Sequence, residues 1–193
     1  MVYQEVHTQW NGDGYTQHKQ TREKQVNKTE TKAKIDALLP TTGQDEFGQY
    51  EVGSIEQRKA ATLVEYAYNA DTISDDMIPH VLLALKDIQV RDYAMGLINP
   101  RNDKGLSFFK LLTKHAPRNY NAAPTTLLAL VHYEKHEDGK ANELLRPMLK
   151  TSYSLARLLS RVFETNWPIG AFEAMRMELH PKVKAGIFGE SND

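Results

Sequence analysis

From about residue 30 onward, apolar residues return every three or four positions, and no run alternates apolar with polar for long enough to make a strand. That periodicity confines the chain to helices, because a half-buried strand needs a period of two. Proline and glycine then cut the pattern short at Pro40, Gly43, Gly48, Gly53, Pro100, Pro117, Gly139 and Pro168. Helices of only a few turns are not stable alone in water, so they must bury their apolar stripes against one another. Short connections make successive helices antiparallel neighbours. The expected fold is therefore all-α: an irregular bundle, or a short stack of helical hairpins.

The helix boundaries are marked by residue type. Ile35, Leu38 and Leu39 form a stripe that stops at Pro40. Ser54-Ile55-Glu56-Gln57 reads as a capping box opening a helix with Ala60, Leu63, Val64 and Ala67 on one face. Thr72-Ile73-Ser74-Asp75 signals a second start ahead of Ile78, Val81, Leu82 and Leu85, with Pro79 tolerated in the first turn. Pro124 and Pro168 open later helices, and Ser152 is placed to cap the helix of Leu155, Leu158, Leu159 and Val162. Pro147 lies inside the stripe of Ala141, Leu144, Leu145 and Met148, which predicts a kink or break between residues 143 and 146.

The first 30 of the 193 residues differ from the rest. They are rich in Gln, Thr, Lys and Asn, and Val2, Val6 and Val26 are too few to offset the entropy of ordering. Residues 1–30 are thus expected to be an extended N-terminal arm, either a disordered tail or a segment that orders on a partner. In the second case Tyr3, Trp10 and Tyr15 are the anchors. Residues 31–184 are expected to form the helical domain, and 185–193 a polar tail. No stretch approaches the roughly 18 apolar residues of a membrane span, and the N-terminus has no basic start followed by an apolar run. A soluble, cytoplasmic protein without membrane contact is the expectation.

Three segments resemble an actinobacterial family known only as domain of unknown function 4192. They are Val90-Arg91-Asp92; Leu127-Leu128-Ala129-Leu130 running through Tyr133 to Glu137-Asp138-Gly139 and Ala141; and Tyr153-Ser154-Leu155-Ala156-Arg157-Leu158-Leu159. The likeness spans residues 85 to 170 and resembles the helical C-terminal part of that family. The α/β portion that opens its longer members is not seen here. His136 stands where the family turn carries its first glycine. The resemblance implies a self-contained helical module from an actinobacterium, or from one of its phages or plasmids, and implies no activity.

The chemistry-bearing motifs are mostly excluded. There is no cysteine, and hence no thiolate nucleophile, disulfide or cysteine-based zinc site. Phosphate loops and the G-x-S-x-G elbow are absent. His132 and His136 share the spacing of a helical metal pair, but Glu134 lies about 200° around from the first of them, so an exposed polar helix end is the better reading. No catalytic residue, metal site, cofactor or small-molecule substrate is indicated, and the protein is expected not to be an enzyme. Arg91 and Asp92 point about 100° apart on a helix. Each is therefore expected to anchor a different neighbour as a structural charge, not to pair with the other.

Charge is laid out unevenly although the formal net charge is only -1. Residues 45–92 carry Asp45, Glu46, Glu51, Glu56, Glu65, Asp71, Asp75, Asp76, Asp87 and Asp92; from 140 onward come Lys140, Arg146, Lys150, Arg157, Arg161, Arg176, Lys182 and Lys184. Arg146 and Lys150, and Arg157 and Arg161, are spaced to share helix faces. The leading expectation is a helical protein–protein interaction module, self-associating or docking another protein through the arm and these basic residues. A nucleic-acid-binding protein using the basic C-terminal half ranks second, and an enzyme with an unrecognised helical site third.

Overall fold

A computed structural model describes residues 28–165 and 167–189. Their architecture is all-α, with no strand among the described residues. The helices are α1 (28–38), α2 (Ile55–Asn69), α3 (Met77–Ala84), α4 (Ile88–Gly96), α5 (Lys104–His115), α6 (Ala122–Glu134), α7 (Asp138–Met148), α8 (Ser154–Glu164) and α9 (Ile169–Phe188). Short 3-10 turns at Leu39–Thr41 and Arg118–Tyr120 follow α1 and precede α6. The helix at 28 already runs through the boundary expected at residue 30, and the rest of the arm lies outside the described residues.

Two helices form the centre. Residues 123–131 of α6 are all buried, so the helix is covered on every side and wrapped by α5, α7, α8 and α9. α2 buries Ala60, Ala61, Val64, Ala67 and Tyr68 against α3, α4, α5 and α9. The closing contact is between α4 and α9, far apart in sequence. It turns a succession of hairpins into a bundle. Gly96, the last residue of α4, makes that approach close: a Cβ there would sit 1.7 Å from Nδ1 of His180. His180 itself stacks on Tyr93 with ring centroids 5.0 Å apart.

The polar segment between α1 and α2 is strapped down by side-chain amides and one carboxylate. Gln44 donates to the carbonyl of Leu83 at 3.0 Å, and Gln49 donates to that of Lys86 at 2.9 Å. Asp87, which is 2% exposed, caps α4 through Val90 N–H (2.9 Å) and also accepts from Tyr50 N–H (2.9 Å) and Gln57 Nε2 (3.3 Å). One of the ten acidic residues read as a charged surface is therefore an internal staple.

Several expected boundaries move. The capping box forms, with Ser54 accepting from Gln57 N–H at 3.2 Å, but the Gln57 side chain reaches back to Gly53 N–H at 2.8 Å. α3 starts at Met77, later than its signal; its N-cap Asp76 makes no capping bond and pairs with Lys34 at 2.9 Å instead. Ser152 does not cap α8; Tyr153 is the N-cap, with no side-chain hydrogen bond. The break ahead of Pro147 does not occur. α7 ends one residue after it, so the proline removes a hydrogen bond only in the final turn. α9 runs through Pro181 to Phe188, past the boundary at 184. Ile187 is fully buried, and Phe188 packs on Tyr93 at 5.7 Å. The apolar contacts beyond the proline outweigh its lost hydrogen bond.

Candidate functional site

At the centre of the bundle Glu134 and Arg176 meet as a two-pronged ion pair. Arg176 Nε and Nη2 donate to the two carboxylate oxygens, each at 2.9 Å, with side chains 1% and 0% exposed. Nη1 donates to the carbonyl of Met95 at 3.0 Å, where α4 ends. One guanidinium thus ties α4, α6 and α9 together. Burial pushes the Glu134 carboxyl above the usual carboxylate range, and the Arg176 hydrogen bonds pull it back. Charged groups removed from water persist only when paired this completely. The role is structural. A signal existed in the sequence: Glu134 follows Leu127 and Leu130 at core spacing, and Arg176 follows Phe172 by four residues.

A second cluster lies at the surface. Arg91 and Asp92 do pair with each other, contrary to expectation: Nε and Nη2 donate to one Asp92 oxygen at 2.8 and 2.6 Å. Backbone directions 100° apart do not prevent this, because the long arginine side chain folds back over its neighbour. The guanidinium also lies 5.6 Å from the ring of Tyr153, at the start of α8. Arg91 therefore does anchor a neighbouring element, through an aromatic face. Arg91 and Tyr153 line a cleft of about 710 Å³ between the end of α3, the start of α4, the Arg118–Tyr120 turn, and the first turns of α6 and α8. Lys86 sits over the Tyr120 ring at 5.7 Å. Two segments from the sequence resemblance, Val90-Arg91-Asp92 and Tyr153 onward, meet here.

The basic residues named from sequence lie together on the α7–α8 hairpin. Arg146, Lys150, Arg157 and Arg161 are all exposed and make no ion pair among the described residues; Arg157 donates to the carbonyl of Thr151 at 3.2 Å. Exposed apolar residues accompany them: Leu149, Leu158 at 55% exposure, and Trp167. The acidic residues are less unified. Glu65 holds the Tyr93 hydroxyl at 2.8 Å, and Asp76, Asp87 and Asp92 are spent as described. Glu46, Glu51 and Glu56 remain exposed and, among the described residues, without an ion pair around the loop before α2 and its first turn, beside exposed Phe47, Val52 and Ile55. Tyr3, Trp10 and Tyr15 lie outside the described residues.

The histidine pair does not stay on one helix. α6 ends at Glu134, and His136 sits beyond it with φ of 60°. The bonds His136 N–H to Tyr133 O and Glu137 N–H to His132 O, each 2.9 Å, form the Schellman arrangement that calls for a left-handed residue at this position. That is why a glycine suits it. His132 is only 13% exposed and its Nδ1 is held by Glu137, which also accepts from Lys140 at 2.8 Å. The helix end is thus neither exposed at His132 nor arranged as a metal pair, and among the described residues no group of three metal-ligating side chains gathers. No described helix is long and apolar enough to cross a membrane.

This helical bundle, with an Arg–Tyr cleft and a glycine-type turn after its central helix, belongs to a family of uncharacterised domains. The chain is a member of the family described as Domain of unknown function (DUF4192), whose model matches residues 4–168. The match reaches well N-terminal of the likeness expected over 85–170, and Arg176 lies beyond its end. No curated protein and no solved structure matches the chain.

Proposed function

We propose that the protein is a cytoplasmic, non-enzymatic interaction module whose α7–α8 surface docks the acidic loop ahead of α2 in a second copy. The carrying observation is that the two surfaces match in kind and oppose in sign. One carries exposed Arg146, Lys150, Arg157 and Arg161 with exposed Leu149 and Leu158; the other carries exposed Glu46, Glu51 and Glu56 with exposed Phe47, Val52 and Ile55. Arg58, a base near the acidic loop, is turned onto the carbonyl of Gly53 at 2.7 Å. Opposed charge steers the encounter and sets its register, while the apolar centres supply the affinity. Two different patches in contact make a head-to-tail assembly, which closes into rings or extends into chains.

Sedimentation velocity across protein concentration tests this reading. Average mass should rise with concentration at low salt and fall back as salt screens the contact. Arg157→Glu with Arg161→Glu should abolish the association, and mixing that variant with Glu51→Lys/Glu56→Lys chains should restore it. A monomer at every concentration sinks the proposal. A gel shift by duplex DNA at low salt would then assign the basic surface to nucleic-acid backbone.

A further inference from the structure

We propose that the cleft between Arg91, Lys86 and Arg118 binds a phosphate-bearing small molecule with an aromatic or apolar body. The cleft walls carry three cationic side chains and no carboxylate. Asp92 touches Arg91 from outside those walls. Lys86 and Arg118 are exposed and make no ion pair among the described residues, so their charge is uncompensated at the mouth. The α2–α5 groove, of about 580 Å³, contrasts with this: its single lysine, Lys104, faces Asp71 and Asp103.

The cleft is preorganised as well as charged. Arg91 is 7% exposed and held by Asp92 through two of its nitrogens, Nε and Nη2. A planar guanidinium fixed in this way suits the oxygens of a phosphate better than a mobile ammonium does. The Tyr153 hydroxyl is buried beside the guanidinium and, among the described residues, finds no well-formed hydrogen bond. Burial pushes that phenol above its ordinary value, so it stays protonated as a donor near neutral pH. The first turns of α6 and α8 also border the cleft, and neither Asn121 nor Tyr153 caps its helix with a side chain. Their backbone N–H groups add to the positive field.

Phe47, Ile88 and Tyr120 supply apolar and aromatic wall able to cover a ring, beside the polar Gln49, Asn119, Thr151, Ser152 and Ser154. The volume lies within the roughly 300–1,000 Å³ of small-molecule pockets. The ligand chemistry is therefore a phosphate monoester with a ring or hydrocarbon body. The ligand site includes none of Arg146, Lys150, Arg157 and Arg161, although Phe47 belongs both to the cleft and to the acidic loop.

Calorimetric titration of the full chain with phenyl phosphate, inorganic phosphate and phenol tests the assignment. Phenyl phosphate should bind saturably and more tightly than inorganic phosphate, and phenol should not bind. Lys86→Gln with Arg118→Gln should weaken phenyl phosphate by about tenfold or more, in line with losing charge-assisted contacts, without changing the melting temperature of the free protein. Arg157→Glu/Arg161→Glu should leave the titration unchanged, so the two proposals fail separately. Absence of saturable binding at millimolar phenyl phosphate overturns the proposal, as does equal binding by phenol or by the Lys86/Arg118 variant. Tighter binding of a phosphotyrosine peptide than of phenyl phosphate would overturn the small-molecule source.

Discussion

The bundle uses arginine in two opposite ways. Arg176, at the α4–α6–α9 junction, is buried and hydrogen-bonded on all three nitrogens. Arg157 and Arg161, on α8, are exposed and without an ion pair among the described residues. The first is a joint whose partners lose more from its removal than they gain from its presence. The second pair presents uncompensated charge and contributes little to folding. The same side chain therefore marks architecture in one region and a docking surface in the other, and the difference is whether water can solvate it.

The largest effect is expected at the buried joint. Arg176→Met leaves the Glu134 carboxylate without a partner, and such orphaned charges cost about 3–5 kcal/mol. Chemical denaturation should report that loss near neutral pH. Burial raises the carboxyl pKa of folded Glu134, and removing the arginine removes the effect opposing it. A carboxyl with a raised folded pKa keeps its full stability below the unfolded value near 4.3 and loses it as pH rises through the folded value. The penalty of Arg176→Met should therefore shrink on acidification towards pH ~4.3. A Glu134→Leu/Arg176→Met double variant should be less damaged than the single one. If the single variant were as stable as the parent at pH ~7, the contrast between the two regions would collapse.

Next in size is the close approach of α4 and α9. A Cβ at Gly96 falls on the His180 ring, which is itself stacked on Tyr93. Overpacking of this kind costs about 1–3 kcal/mol, and thermal melting of Gly96→Ala should show it.

These two sites also show what was legible. Helix existence followed from the three-to-four residue period, because each stripe buries locally. The closure of α9 on α4 did not. The helical domain was expected to end at residue 184, and the burial of Ile187 and the packing of Phe188 on Tyr93 carry α9 past it. The Arg91–Asp92 pair was misread because helical angle describes where Cβ points and not how far a long side chain can return. The cleft was invisible for a related reason: Lys86, Arg118 and Tyr153 come from three connections whose proximity is set by tertiary packing. The basic hairpin was visible because its residues are local.

A smaller change should run the other way. His136 occupies left-handed backbone at the end of α6, where a side chain costs about 1–2 kcal/mol. Glycine removes that strain but adds freedom to the unfolded chain, so His136→Gly should stabilise by roughly 0.5–1 kcal/mol. A destabilised variant would mean that the histidine ring contributes more than its backbone costs.

The smallest stability effect is expected where the proposed functional effect is greatest. Arg157→Ala with Arg161→Ala removes two exposed cations that make no ion pair among the described residues. Changes to such surface charges stay within about 0.5 kcal/mol. The hydrogen bond from Arg157 to the Thr151 carbonyl is exposed and can be replaced by water. The melting curve should therefore overlay that of the parent, while the concentration dependence of its sedimentation should weaken. Loss of both together would mean that α8 needs those arginines to fold. The division between a buried joint and a presenting surface would then be wrong at its outer edge, because the exposed arginines would be architecture as well.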